Sequence, residues 1–139
     1  MVVVGGGKVA ARRVNTLLKF ADDITVIAPE VTEEIKRAAL AGKVRWIEAA
    51  FSGESGSKLW ERADFVLAAT NDAACNEEIA RLCKERGIPV NVSHKKELCD
   101  FYFPAVAVKE NVVAGITASG QSHSQAREIR EKIEKALSE

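Results

Sequence analysis

Gly5-Gly6-Gly7-Lys8-Val9-Ala10 fits the pattern G-x-G-x-x-A and stands directly after the β-branched run Val2-Val3-Val4. Each fixed position in that pattern has a physical task. Gly5 permits a tight turn out of a strand. Gly7 has no Cβ, so a diphosphate can approach the backbone. Ala10 is small enough for a helix to pack against the strand. A helix that starts at Lys8 aims free N–H groups and the positive end of its dipole at the same spot, which favours an anion. The pattern is common, and a glycine turn without a ligand is its other reading. Its position here, after a strand and before a helix at the head of a βαβ unit, favours a nucleotide.

Two further stretches belong to the same chemistry. Ile27-Ala28-Pro29-Glu30 ends the second apolar run. An acid near the end of that strand holds the adenosine ribose hydroxyls in dinucleotide folds. Glu30 is the candidate, two or three residues late; its other reading is a carboxylate balancing the dipole of the next helix. No arginine adjoins this strand end to receive a 2′-phosphate, so NAD is expected over NADP. Ala68-Ala69-Thr70-Asn71-Asp72 ends a later run. In doubly wound sheets the ligand crevice lies beyond the carboxyl ends of the strands. Thr70 and Asn71 should therefore border the nicotinamide half, while Asp72 caps the helix that follows.

These residues need a scaffold, and the apolar pattern supplies one. Strands are read at Val2–Val4, Ile24–Ile27, Val44–Ile47, Phe65–Ala69 and Pro89–Val92. Helices are read at Lys8–Phe20, with Val9, Ala10, Val14, Leu17 and Leu18 inward, and at Val31–Ala41, with Ile35, Ala38 and Ala39 inward and Gly42 closing it. A third is read at Asp72–Arg86, with Ala74, Cys75, Ile79, Leu82 and Cys83 inward and Gly87 as its cap. A loop is read over 51–57, with a short helix at Lys58–Arg62. The alternation predicts a Rossmann-like, doubly wound parallel α/β sheet over residues 1–100. From 101 to 139 the pattern changes. Phe101–Val108 and Asn111–Thr117 read as an antiparallel pair joined by Lys109-Glu110. A helix at Ser122–Leu137 carries a stripe of Ala126, Ile129, Ile133 and Leu137, with surface pairs Glu128/Lys132 and Glu131/Lys135. This hairpin and helix have little to pack on within one chain, which points to dimerisation.

Composition narrows the field. The 139 residues are 47% hydrophobic and 29% charged, a globular balance. Lys+Arg and Asp+Glu are both 20, so there is no overall basic excess of the kind that binds nucleic acid non-specifically. No apolar run approaches the ~18–20 residues that span a membrane, and the first residues lack the pattern of a signal peptide. Cys75, Cys83 and Cys99 are odd in number and form no Cys-x-x-Cys pair, so a disulfide framework and a structural zinc are not expected. A reducing cytoplasm is the natural setting.

Taken together, Val2 to Ala10, Thr25 to Glu30, Ala68 to Asp72, Asn91-Val92, Cys99-Asp100-Phe101 with Phe103-Pro104-Ala105, and Ala126 to Ile133 resemble the siroheme synthase N-terminal module. That family is the precorrin-2 dehydrogenases, often also sirohydrochlorin ferrochelatases. The resemblance covers essentially the whole chain. It implies NAD-dependent oxidation of precorrin-2 to sirohydrochlorin, followed in some members by insertion of ferrous iron as a substrate. It implies a homodimer built through the later strands and helix, and cofactor contacts at Lys8, Val9, Pro29 and Glu30.

Three features depart from the family. Where many members place an aspartate as the proposed general base, this chain has His94. Where some have a serine, it has Ala118. Many members continue into a helical domain, whereas this sequence ends at Glu139. Neutral imidazole accepts a proton near pH ~6.5, so His94 is a candidate base. It is equally a candidate iron ligand or a solvated loop histidine. The substrate is a tetrapyrrole polycarboxylate, so cations should surround it. Lys95, Lys96 and Arg127 are candidates, with Arg12 and Arg13 beside them. The turn around Ser119 could offer amides to a carboxylate or simply lead into the last helix. Asp100 could orient substrate or hold a turn. A rival reading from another class is a non-catalytic NAD-sensing module; a third is a degenerate paralogue needing a separate partner.

Overall fold

Five short strands line up side by side: β1 (Val2–Val4), β2 (Thr25–Ala28), β3 (Arg45–Glu48), β4 (Val66–Ala68) and β5 (Val90–Val92). In the computed structural model, which describes residues 1–53 and 57–139, they form one parallel sheet in the order β3-β2-β1-β4-β5. The chain divides into two compact units, Met1–Phe101 and Tyr102–Glu139. In the first, the crossovers carry α1 (Lys8–Leu17), α2 (Glu33–Leu40), α3 (Ser57–Trp60) and α4 (Ala73–Arg86).

Strand periodicity decides which side chains meet which helices. Val2, Val4, Ile27, Val66, Ala68, Val90 and Val92 join one cluster with Trp60, Ile79, Ala80, Cys83 and Ile88. Val3, flanked in register by Val26 and Leu67, points the other way. Among the helices outside that cluster, α1 buries Ala10, Ala11, Val14 and Leu17, and α2 buries Ile35. Strands covered on both faces read as unbroken apolar runs, as β1 and β4 do.

Helix ends follow local chemistry. The Asp72 carboxylate accepts from the Ala74 and Cys75 N–H groups at 3.0 and 3.2 Å, capping α4. Gly87 closes that helix at φ 67, the left-handed conformation glycine adopts freely. The Thr32 hydroxyl caps α2, and Gly42 follows its end at φ 74. Asp72→Ala should cost about 1 kcal/mol of stability. Urea unfolding would read this as a lower midpoint at unchanged slope.

Some expected details are corrected. α1 stops at Leu17, and Leu18 is its C-cap, not part of a run to Phe20. Val9 is exposed because it lies about 100° around the helix from Ala10. Ala74 is also exposed; Asn76, 1% exposed, takes the inward position on the line of Ile79, Ala80 and Cys83. The short helix spans Ser57–Trp60, and the loop read before it lies partly outside the described residues.

The second unit is a hairpin, β6 (Ala105–Lys109) and β7 (Val112–Ile116), with α5 (His123–Ser138) packed on it. Phe101 to Pro104 precede the ladder and are not part of it; Pro104 has no N–H to donate. Val106, Ala107 and Ala126 are buried. The expected stripe on α5 is only partly covered: Ile133 and Leu137 are half-buried and Ile129 is exposed, as are Val112 and Val113. Glu131 pairs with Arg127 and Arg130 instead of Lys135, since both guanidinium groups reach it. Among the described residues, no helix is long and apolar enough to cross a membrane.

Candidate functional site

The three glycines after β1 do three different things. Gly5 sits at φ 125, and its N–H donates to the Ile27 carbonyl at 2.9 Å. A Cβ there would lie 2.3 Å from the Ala69 carbonyl oxygen. Gly6 is tighter still: a Cβ would meet the Glu30 carbonyl oxygen at 2.0 Å and Val31 Cγ1 at 2.9 Å. Its own carbonyl accepts from the Thr32 N–H at 3.0 Å. Gly7 has ordinary extended backbone, and no atom lies within 4 Å of where its Cβ would be. The sequence pattern treats the middle position as free. The structure makes it the closest approach of all, so Gly6 joins the site as a residue the pattern missed. The sequence signal was a glycine at a position where the motif asks for none.

Behind that turn, α1 begins with no side-chain cap and no acid in its first turn. The Ala11 N–H, bonded to the Gly7 carbonyl at 2.9 Å, opens the helical ladder. The amides of Lys8, Val9 and Ala10 precede it, as the first donors of any helix do. The other helices of eight or more residues are capped, by Thr32, Asp72 and Ser122. Open space over Gly7, uncapped amides and a positive dipole end together fit a diphosphate. Lys8 is exposed at the same place, and Val9 presents an apolar surface beside it.

Pro29 and Glu30 are exposed where β2 ends, with the Glu30 backbone against Gly6. α2 starts later, at Glu33, and its first turn holds Glu33 and Glu34. Those two supply the carboxylates for the α2 dipole, which leaves Glu30 beside the glycine turn.

At the end of β4 a polar network replaces the apolar core. Asn76 Oδ1 accepts from the Thr70 N–H at 3.1 Å and from the Thr70 hydroxyl at 2.6 Å. Asn76 Nδ2 donates to the Thr70 carbonyl at 3.1 Å and meets His94 Nδ1 at 3.1 Å. The Thr70 backbone also borders Gly5, so glycine turn and network are contiguous. Asn71 is exposed on the same edge. His94 is exposed beyond β5, carried there as Ser93 N–H donates to the Ala68 carbonyl at 3.0 Å. Thr70, Asn71 and His94 therefore meet at the carboxyl edge of β4 and β5, as the parallel topology requires.

The residues after His94 are engaged by the chain itself. Lys95 pairs with Glu77 at 2.8 Å; that hydrogen-bonded pairing lowers the Glu77 carboxyl and raises the Lys95 ammonium. Both are exposed, and such pairs hold weakly. Lys96 opens a 3-10 turn, Lys96–Leu98, and is exposed. Asp100 Oδ2 accepts from the Val90 N–H at 3.0 Å while its own N–H donates to the Val90 carbonyl. Cys99 Sγ accepts from the Val92 N–H and donates to the Val92 carbonyl. These contacts tie residues 99 and 100 to β5, and they engage the Asp100 carboxylate within the fold. Arg13 donates to Asn91 Oδ1 at 3.2 Å, and Asn91 Nδ2 donates to the Phe101 carbonyl. Burial lowers the Arg13 pKa from its ordinary value. Burial also pushes the Cys83 thiol up to about 12.

Ser119 and Arg127 belong to the second unit. Ser119 sits at φ 54, its N–H held by the Thr117 hydroxyl, and Gly120 packs under Tyr102. Arg127 pairs with Glu131 at 3.0 Å. Among the described residues, no three His, Cys, Asp or Glu side chains group as a metal site.

Comparison with known proteins agrees with this geometry. Siroheme synthase 1 of Serratia proteamaculans is 33% identical over 137 residues, covering 99% of this chain and 28% of that protein. Siroheme synthase of Photorhabdus laumondii is 34% identical over 137 residues, with the same coverage of 99% and 28%. This chain thus spans little more than a quarter of the length of these curated relatives. Among solved structures, SirC, a precorrin-2 dehydrogenase, matches with a TM-score of 0.73 at 27% identity, covering 97% of this chain and 64% of that one. A family model described as "Putative NAD(P)-binding" matches residues 1–105, from the glycine turn through His94 to the start of β6. With its parallel sheet, its glycine turn and that match over most of its length, the chain belongs to this NAD(P)-binding family.

Proposed function

We propose that this chain is an NAD-dependent precorrin-2 dehydrogenase acting in siroheme synthesis. The observation that carries the reading is the uncapped start of α1 behind Gly5-Gly6-Gly7, opening at the carboxyl edge of a sheet whose relatives are siroheme synthases and SirC.

Bound NAD supplies the hydride acceptor, the nicotinamide C4. The amides of Lys8, Val9 and Ala10 would hold the diphosphate, with Gly5 making the turn, Gly7 leaving open space and Glu30 beside Pro29 accepting hydrogen bonds from the ribose hydroxyls. Thr70 is immobilised by Asn76, so it and Asn71 give the nicotinamide half a rigid edge. Orientation of two reactants in this way accounts for much of the rate of such a transfer. The balance is one hydride from the macrocycle to the acceptor and one proton released to solvent. Lys95 and Lys96 are candidate partners for substrate carboxylates in the first unit, and Ser119 and Arg127 in the second. The exposed Val112, Val113 and Ile129 support a homodimer through the second unit. The three free cysteines fit a reducing, cytoplasmic setting.

The test is direct. Purified protein mixed with precorrin-2 and NAD should produce NADH, followed by its absorbance. Tight NADH binding without turnover would favour a sensing module. Ferrous iron, added after sirohydrochlorin forms, tests chelation separately.

A further inference from the structure

We propose that Asn76 is a positioning residue that locks His94 in its Nε2–H tautomer, so that His94 offers the crevice a hydrogen-bond donor for a substrate carboxylate and not a base. The carboxylate rests on the function proposed above; the tautomer does not.

The orientation of the Asn76 amide is fixed from two sides. A backbone N–H only donates, so the atom facing Thr70 N at 3.1 Å is Oδ1. A carbonyl only accepts, so the atom facing the Thr70 carbonyl at 3.1 Å is Nδ2. That leaves the second hydrogen of Nδ2 directed at His94 Nδ1, 3.1 Å away. The ring nitrogen must therefore present a lone pair, and the proton of the neutral ring sits on Nε2. A proton on Nδ1 would face an N–H. It would also strand an amide hydrogen of a side chain that is 1% exposed, an unfavourable state for a buried donor. Asn76 does not waver, because it is in the first turns of α4, below the Asp72 cap, and makes three further bonds to Thr70.

The consequence is chemical. With Nδ1 occupied and Nε2 protonated, the exposed ring has no free lone pair with which to take a proton. It has one N–H pointing away from Asn76. At a position next to Lys95 and Lys96 in the chain, a neutral donor adds a directional contact to an anion.

Nitrogen-15 NMR of the imidazole rings reads the tautomer without any turnover. The chain has two histidines, and His123→Gln removes the signals of the other. The expected spectrum shows a proton-free Nδ1 and a protonated Nε2. Asn76→Asp, which keeps an acceptor for Thr70 but replaces the donor, should move the proton to Nδ1. A protonated Nδ1 in the unsubstituted protein would overturn the proposal, even if the variant fails to fold. The donor role is read with uroporphyrin, a polycarboxylate tetrapyrrole, as probe. His94→Ala should weaken its binding about tenfold, and His94→Asn, which retains a donor, should weaken it less. Equal affinity in all three proteins would sink the donor role. Where precorrin-2 is turned over, the same contact predicts a higher KM for His94→Ala at a kcat within about twofold. A collapse of kcat at unchanged KM would assign His94 as the base instead. Absence of turnover would count against the dehydrogenase reading alone, since the NMR and porphyrin measurements stand apart from it.

Discussion

Gly5→Ala lowers the thermal midpoint by roughly ten degrees or more, because two independent costs fall on one methyl group. The first is backbone strain. Gly5 stands at φ 125, where side chains are rarely found, and strain of that kind costs about 1–3 kcal/mol. The second is collision. The new Cβ would lie 2.3 Å from the Ala69 carbonyl oxygen, 2.6 Å from its carbon and 3.1 Å from the Thr70 nitrogen. All three are backbone atoms at the end of a central strand, so no flexible side-chain tip can swing aside. Overpacking typically adds about 1–3 kcal/mol, against a total stability of about 5–15 kcal/mol for a domain. Calorimetry or circular dichroism melting checks this. A midpoint within about 2 °C of the unsubstituted protein would show that the turn relaxes in a way this geometry does not allow.

Gly7→Asp has the opposite profile and is the sharper test of the cofactor site. Gly7 has ordinary extended backbone, φ −86 and ψ −163, and open space where a side chain would go. An aspartate there is an N-cap of the preferred type, in a helix that lacks one, so stability should hold or rise by about 1 kcal/mol. Its carboxylate takes the same amides that are proposed to hold the diphosphate, and would repel that anion as well. Affinity for NADH should fall at least a hundredfold, a loss of about 2.8 kcal/mol. Gly7→Ser offers the same cap without the charge and should lose roughly tenfold, about 1.4 kcal/mol. Titration by NADH fluorescence, run beside a thermal melt, separates binding from folding. Unchanged NADH affinity in Gly7→Asp would place the diphosphate elsewhere.

The fold is the part of this protein that was legible in the sequence. Short β-branched segments, helical stripes and glycine stops are local features, and they set the order of the strands and helices. Alternation of the two then leaves a parallel sheet, since each crossover must return on the same side. The Asp72 cap and the closing Gly42 and Gly87 were legible for the same reason: each acts within a few residues of itself.

Other features were decided only when distant segments met. Gly6 is forced by the Glu30 carbonyl, which β2 brings against it. Asn76 was hidden among residues expected to face solvent, because polarity usually marks the outside of a helix. Its burial depends on Thr70 and on His94, the latter 18 positions away in the chain. Arg13 reads as a free cation until β5 places Asn91 beside it, 78 positions later. The sequence alone determined the elements and the edge of the sheet at which chemistry gathers, because hydrophobic periodicity and turn propensity are short-range. Tertiary structure alone decided which polar groups are spent on one another there and which remain for a ligand, because hydrogen bonding and close contact depend on distances that no local pattern contains.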